Sequence, residues 1–290
     1  FDQWHGGAPK IKHVTIRIIP DATTLVLELR RGSVQMEVNC IPFENVDEFS
    51  KNPDFKIVKS PGSVYQYVAF NLKDPLFSDL RVRKAIAYAI DRESIVKYLW
   101  RGQAQLATGV IPPNNWSYAD NVETYSYDPQ KARDLLKESG HENLSFTYRT
   151  ATDDTGRLLA AVLQQQLREV GIQMDIRSNE FATFYSDVIK GNFQMYSLRW
   201  IGGNNDPDIL NFVFHSMMFP PNGANRGRYA NAEVDQLIDF ARREVDTEKR
   251  KQAYQRIQQI VAEELPYVSL FYVDNVAVYN KRIAGMKLYP

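Results

Sequence analysis

One cysteine, Cys40, stands among 290 residues, so no disulfide can close within this chain. That excludes a disulfide-stapled scaffold but leaves the compartment open, because many extracytoplasmic proteins carry no disulfide. Neither sign of charge is in surplus: 35 Lys plus Arg balance 35 Asp plus Glu. A nucleic-acid binder would show a basic excess, so no nucleic-acid partner is expected. No apolar run approaches the ~18 residues that a membrane-spanning helix needs. Histidine is scarce. His5, His13, His141 and His215 are scattered, with no second His or Cys at metal-ligand spacing, and no metal is expected. Also missing are a Gly-x-Ser-x-Gly elbow, a Walker A string and a Gly-x-Gly-x-x-Gly turn. With them go the commonest nucleophile, nucleotide and dinucleotide sites, so no catalytic residue and no cofactor are assigned. There is no internal repeat and no low-complexity tract.

What the chain does have is length and rings. Its length suits two domains. The 16 Tyr and 15 Phe suit a protein that lines a cleft with aromatics, although core packing accounts for most of them. Residues 11–20 alternate and are rich in β-branched side chains, which predicts a strand. Asp21 then caps a helix that Gly32 ends, and a short strand over 34–38 and a helix over 42–51 follow. Strands are predicted over 55–59 and 64–71, with an irregular loop over 103–127. From Asp128 the pattern turns regular. Helices over 128–140, 156–170 and 181–190 alternate with strands over 144–150, 172–177 and 193–200. After an irregular stretch, 201–228, Asn231 and Thr247 cap two more helices, and strands over 267–273 and 276–279 follow. This alternation argues for an α/β lobe with crossover connections and a largely parallel sheet.

The most informative stretch is 76–96, two short abutting helices capped by Ser78 or Asp79 and by Asp91. Val82, Ala85, Ile86 and Ala89 recur at the spacing of one buried face. The string Asp-x-Arg-Val-Arg-Lys-Ala-Ile-x-Tyr-Ala-Ile-Asp-Arg, from Asp79 to Arg92, closely resembles a segment of the bacterial extracellular solute-binding proteins of family 5. That family includes the oligopeptide-, dipeptide- and nickel-binding proteins of ABC importers. The resemblance implies an α/β, periplasmic-binding-protein-like fold of type II, cluster C, with one nearly complete lobe and part of the other. Residues 1–68 would be part of lobe I, 69–272 lobe II, and 273–290 the return to lobe I. The chain opens at Phe1 with no signal segment ahead of it, and the expectation is the carboxyl-terminal portion of a larger protein.

The best site candidate is the run from Arg199 and Trp200 through Gly203, Asn204, Asn205 and Asp206. It follows a strand's carboxyl end, where open α/β sheets place ligands. The alternative is a capped turn into a helix from Pro207, with Trp200 in the core. Peptide-binding members of the family commonly place an Asp three residues after this Trp, to receive the ligand's ammonium. Here that position is Gly203, which weakens the case for free-amino peptides and leaves room for an oligosaccharide or a capped peptide. Tyr65, Tyr67, Asn71 and Phe271 are further ligand-binding candidates near the lobe junction. Arg226 and Arg228, in the stretch Gly-Ala-Asn-Arg-Gly-Arg, could meet an anionic group, but solvated loop cations are the commoner case. The resemblance thus implies a non-enzymatic substrate-binding component on the periplasmic or extracellular face. Its partners would be a small peptide or oligosaccharide ligand and an ABC permease in the membrane. The competing readings are a peptide or glycan hydrolase using Asp206 or Asp208, and a sensory or scaffold role.

Overall fold

The computed structural model describes residues 5–202 and 206–289. The chain divides into two units. The described residues of Phe1–Val58 and Val276–Leu288 form the first, and those of Lys59–Asn275 the second.

In the first unit, helix α1 (Ala22–Arg31) starts at Asp21, whose carboxylate accepts from the Thr24 N–H at 2.7 Å. It ends at Gly32, whose φ of 75° lets its N–H turn back onto the last carbonyls. Strand β1 (Met36–Val38) and helix α2 (Phe43–Ser50) follow. Leu25, Val26, Leu29, Val46 and Phe49 close a small core with Val276 and Val278. The strand expected over 11–20 does not form. Ile16 and Ile18 are 87% and 91% exposed, and among the described residues no strand pairs with this segment. Alternation makes a strand only where a neighbour offers a ladder and a face to bury.

Strand β2 (Phe55–Phe70) runs from the first unit into the second. It is one strand where two were expected, because Gly62 does not break it. A side chain there would fall 1.9 Å from the Val273 carbonyl oxygen, so glycine permits a close backbone approach. Helices α3 (Pro75–Ser78), α4 (Leu80–Ala89) and α5 (Arg92–Ser94) come next, then a π-helical turn over Ile95–Leu99. Asp79 caps α4 and Asp91 caps α5. The loop expected over 103–127 contains a short strand, β3 (Ala104–Leu106). The regular segment then reads α6 (Pro129–Glu138), β4 (Ser145–Ala151), α7 (Asp154–Glu169), β5 (Gln173–Asn179), α8 (Phe181–Lys190) and β6 (Met195–Trp200). Helix α9 (Ile209–Phe214) lies inside the stretch expected to be irregular. Helices α10 (Ala232–Arg243) and α11 (Thr247–Glu264) and strand β7 (Tyr267–Asn280) complete the chain. Asp246, not Thr247, caps α11, and β7 is one strand where two were expected.

The sheet of the second unit is mixed rather than largely parallel. β4 pairs parallel with β5 and β6, whereas β6 pairs antiparallel with β2, and β3 antiparallel with β7. The carboxyl ends of β4 and β6 therefore point the same way. Helix α7 packs on β4 and β5 through Leu159, Ala160, Leu163 and Leu167, and α8 covers β4.

The signature helix α4 is fixed by Arg83, only 7% exposed. Its guanidinium donates to the carbonyls of Phe77 at 2.6 Å, Ser78 at 3.1 Å, Glu264 at 2.6 Å and Leu265 at 3.1 Å. It thereby ties the start of α4 to the end of α11. Arg92 does similar work, donating to the carbonyls of Ala107 at 2.9 Å and Ser269 at 2.8 Å. The arginines that make the stretch recognisable are scaffold.

Candidate functional site

Strands β2 and β6 present alternate side chains to opposite faces. Their register pairs Tyr65 with Trp200, Gln66 with Arg199 and Tyr67 with Leu198. One face carries aromatics. Tyr67, fully buried, stacks on Tyr65 at 5.4 Å, on Tyr267 at 4.4 Å and on Trp200 at 6.5 Å, with ring planes within 16°. Trp200, half-buried, also meets Phe212 edge-on at 6.2 Å. The other face carries Gln66, Ser197 and Arg199. Together with Thr150, Asp153 and Phe181, these line a cavity of about 250 Å³ at the carboxyl ends of β4 and β6. Asp153 caps α7 there, accepting from the Gly156 N–H at 2.9 Å.

Of the residues expected to bind ligand, the structure gathers Tyr65, Tyr67 and Trp200, with Arg199 exposed beside them on the cavity side. Asp206 is exposed, 3.8 Å from Arg250, and accepts from the Asp208 N–H at 3.0 Å. Asp208 pairs with Arg242 at 2.8 Å. Gly203, Asn204 and Asn205 lie outside the described residues. Asn71 and Phe271 sit elsewhere. The Asn71 amide donates to the carbonyls of Gly191 at 3.3 Å and Phe193 at 3.0 Å, bracing the turn before β6. Phe271 is fully buried against Trp100, their ring centroids 4.2 Å apart.

One residue read from sequence as a solvated loop cation is nothing of the kind. Arg226 is 7% exposed, with its guanidinium carbon 5.0 Å from the Trp200 ring centre and 5.2 Å from that of Tyr185. It donates to the hydroxyls of Tyr185 at 2.9 Å and Tyr67 at 3.5 Å. Local structure delivers it. Asn225, 1% exposed, donates to the carbonyls of Phe214, His215 and Tyr229 and accepts from the Tyr229 N–H. At Gly227 a side chain would fall 2.7 Å from the Phe70 carbonyl oxygen, so only glycine lets this loop press onto β2. Asn225 and Gly227 flank the cation in the sequence, but nothing in that string marks it as buried. Burial holds the phenols of Tyr67 and Tyr267 well above their ordinary pKa, and that of Tyr196 above it too, so this cluster stays neutral around Arg226.

Known proteins match this chain in sequence and in fold. The family model described as "Bacterial extracellular solute-binding proteins, family 5 Middle" matches residues 1–217. The chain belongs to family 5 of the bacterial extracellular solute-binding proteins. The glutathione-binding proteins GsiB of Salmonella paratyphi A and Escherichia coli are each 30% identical to this family member over 99% of it. It spans 57% of the length of those curated relatives. Among solved structures, NikZ from Campylobacter jejuni, in complex with Ni(L-His), is 29% identical with a TM-score of 0.80. It covers 93% of this chain, and the alignment takes in 56% of NikZ. The periplasmic binding protein DppA from Helicobacter pylori, in complex with the peptide STSA, is 27% identical with a TM-score of 0.86, over 93% of this chain and 53% of DppA. These relatives are binding proteins, and among the described residues of this one no helix is long and apolar enough to cross a membrane.

Proposed function

We propose that this chain is part of the substrate-binding component of an ABC importer, capturing a small peptide or peptide-like solute and handing it unchanged to a membrane permease. The observation that carries this reading is the half-buried Trp200, stacked on Tyr67 at the carboxyl end of β6 and next in sequence to Arg199, which lines a 250 Å³ cavity on the strand's other face, in a member of this family. A rigid ring at a strand end, held from behind by other rings, is a stacking platform. The glutathione- and peptide-binding relatives support a peptide over a sugar as the ligand class. Asp206 and Asp208, the carboxylates a hydrolase would need, face Arg250 and Arg242 instead. In the whole protein, residues 69–272 would form one lobe and β2 and β7 the crossings to the other, with closure stabilised by ligand contacts from both. The protein would work on the periplasmic or extracellular side of the membrane.

Calorimetry with glutathione and with the peptide Ser-Thr-Ser-Ala tests this on the full gene product, with mass spectrometry of the recovered ligand. One-to-one binding with the ligand intact is expected, and Trp200→Ala should weaken it about tenfold, the worth of a good ring contact. Cleaved peptide, or no heat of binding from either ligand, would overturn the reading.

A further inference from the structure

Arg226 is a buried cation whose charge nothing nearby cancels. Among the described residues, neither Arg226 nor Arg199 has a carboxylate within 4 Å. Asp187 pairs with Arg149 at 2.8 Å, Asp208 with Arg242 and Asp206 with Arg250, while Asp153, which lines the cavity with Arg199, caps α7 by accepting from the Gly156 N–H. A guanidinium carries five N–H donors, and the phenol hydroxyls of Tyr67 and Tyr185 accept from only two of its nitrogens. The rings of Tyr185 and Trp200 beside it lower the local dielectric and weaken the screening of its charge. Arg199 adds a second positive charge on the opposite face of the same strand end. Trp200 therefore stands between two uncompensated arginines, one buried behind the aromatic wall and one exposed at the cavity.

We infer that Arg226 is a specificity-determining residue, which makes the Trp200 wall select ligands bearing a carboxylate and disfavour ligands whose only charge is an ammonium. This rests on the proposed binding role and names the ligand chemistry for the same site. A ligand carboxylate at the Trp200 ring would supply the counter-charge that the protein withholds, acting on Arg226 through the ring that separates them.

Two measurements on the full gene product separate this inference from the role beneath it. The first needs no ligand: quenching of Trp200 fluorescence by iodide and by caesium, taken as the difference between the protein and its W200F variant. Relative to the same pair of quenchers on free N-acetyltryptophanamide, the iodide-to-caesium ratio is expected to be at least threefold higher, with the excess lost in R226Q and kept in R226K. The second compares calorimetric binding of N-acetylated Ser-Thr-Ser-Ala with that of its carboxyl-terminal amide. The free carboxylate should bind at least tenfold tighter, and the gap should close in R226Q but not in R226K. If iodide preference follows Arg226 while neither peptide binds, the anion-selective wall stands and the peptide-binding role fails. If the iodide-to-caesium ratio does not exceed that of free N-acetyltryptophanamide, or acid and amide bind equally, the inference is overturned. Retention of the charge in R226K distinguishes an electrostatic role from a merely structural one, because a folding defect would appear in both variants.

Discussion

Arg83 and Arg226 are equally buried, at 7% exposure, and they are opposites in every other respect. Arg83 sits in a helix with four backbone carbonyls aligned on its donors. Arg226 sits in a loop, among phenols and indole, with two hydroxyl acceptors and no carbonyl. Through these carbonyls Arg83 ties the last turn of α11 to α3, so it completes the fold. Arg226 completes nothing that the protein itself leaves open; its surplus positive potential faces a strand end where a ligand is expected. Burial alone does not separate a structural cation from a functional one. The acceptors around it do.

The largest effect that would break this comparison is on stability. Arg83→Met should cost about 3–5 kcal/mol of unfolding free energy, because it strands several buried carbonyls at once. Urea denaturation monitored by far-UV circular dichroism measures it. A loss below about 1 kcal/mol would mean that the four carbonyls find water or other donors, and that Arg83 is not the tie between α4 and α11.

Glu37 extends the comparison to a buried acid. It is 7% exposed, its Oε2 accepts from the Cys40 N–H at 2.7 Å, and its Oε1 is buried without a partner. Burial pushes its pKa up from 4.5 to about 7. The folded state thus holds the proton more tightly than the unfolded one. Stability from this group is fully present below pH 4.5 and is lost as pH rises through about 7. Urea midpoints at pH 5 and pH 8 should differ in that direction, on the order of 2 kcal/mol. Glu37→Gln should flatten the slope. A midpoint that rises toward pH 8 would show that Oε1 meets a donor in solution.

Much of this architecture is written locally. Asp128 with Pro129, Asn231, and the glycines at 32 and 191 mark helix ends that the structure reproduces, since capping depends on residues within one turn. Tyr65, Tyr67 and Trp200 were named as site candidates chiefly through the family resemblance, with Trp200 also placed by a strand end. Long-range packing was not legible. Residues 11–20 carry strand chemistry without a partner, while Pro61-Gly62 and Asp274-Asn275 looked like breaks and lie within continuous strands. The burial of Arg226 depends on Gly227 reaching Phe70, a contact across more than 150 residues that no local pattern encodes.

The smallest expected effect is the most informative one. Replacing a buried ion that lacks a counter-charge with an apolar side chain of similar length often changes stability little, because the desolvation penalty disappears along with the lost contacts. Arg226→Met gives up two hydroxyl hydrogen bonds and two ring contacts, each worth about 1 kcal/mol, and recovers the cost of holding a charge among rings. The unfolding free energy should therefore move by less than about 1 kcal/mol, at least 2 kcal/mol less than for Arg83→Met. Paired urea titrations on the two variants provide the check. Equal losses would make Arg226 a second scaffold arginine and dissolve the contrast. A near-neutral result leaves a conserved-volume change with no structural consequence at a position beneath Trp200. The charge would then have no evident role in holding the fold, and its remaining use is toward what binds there.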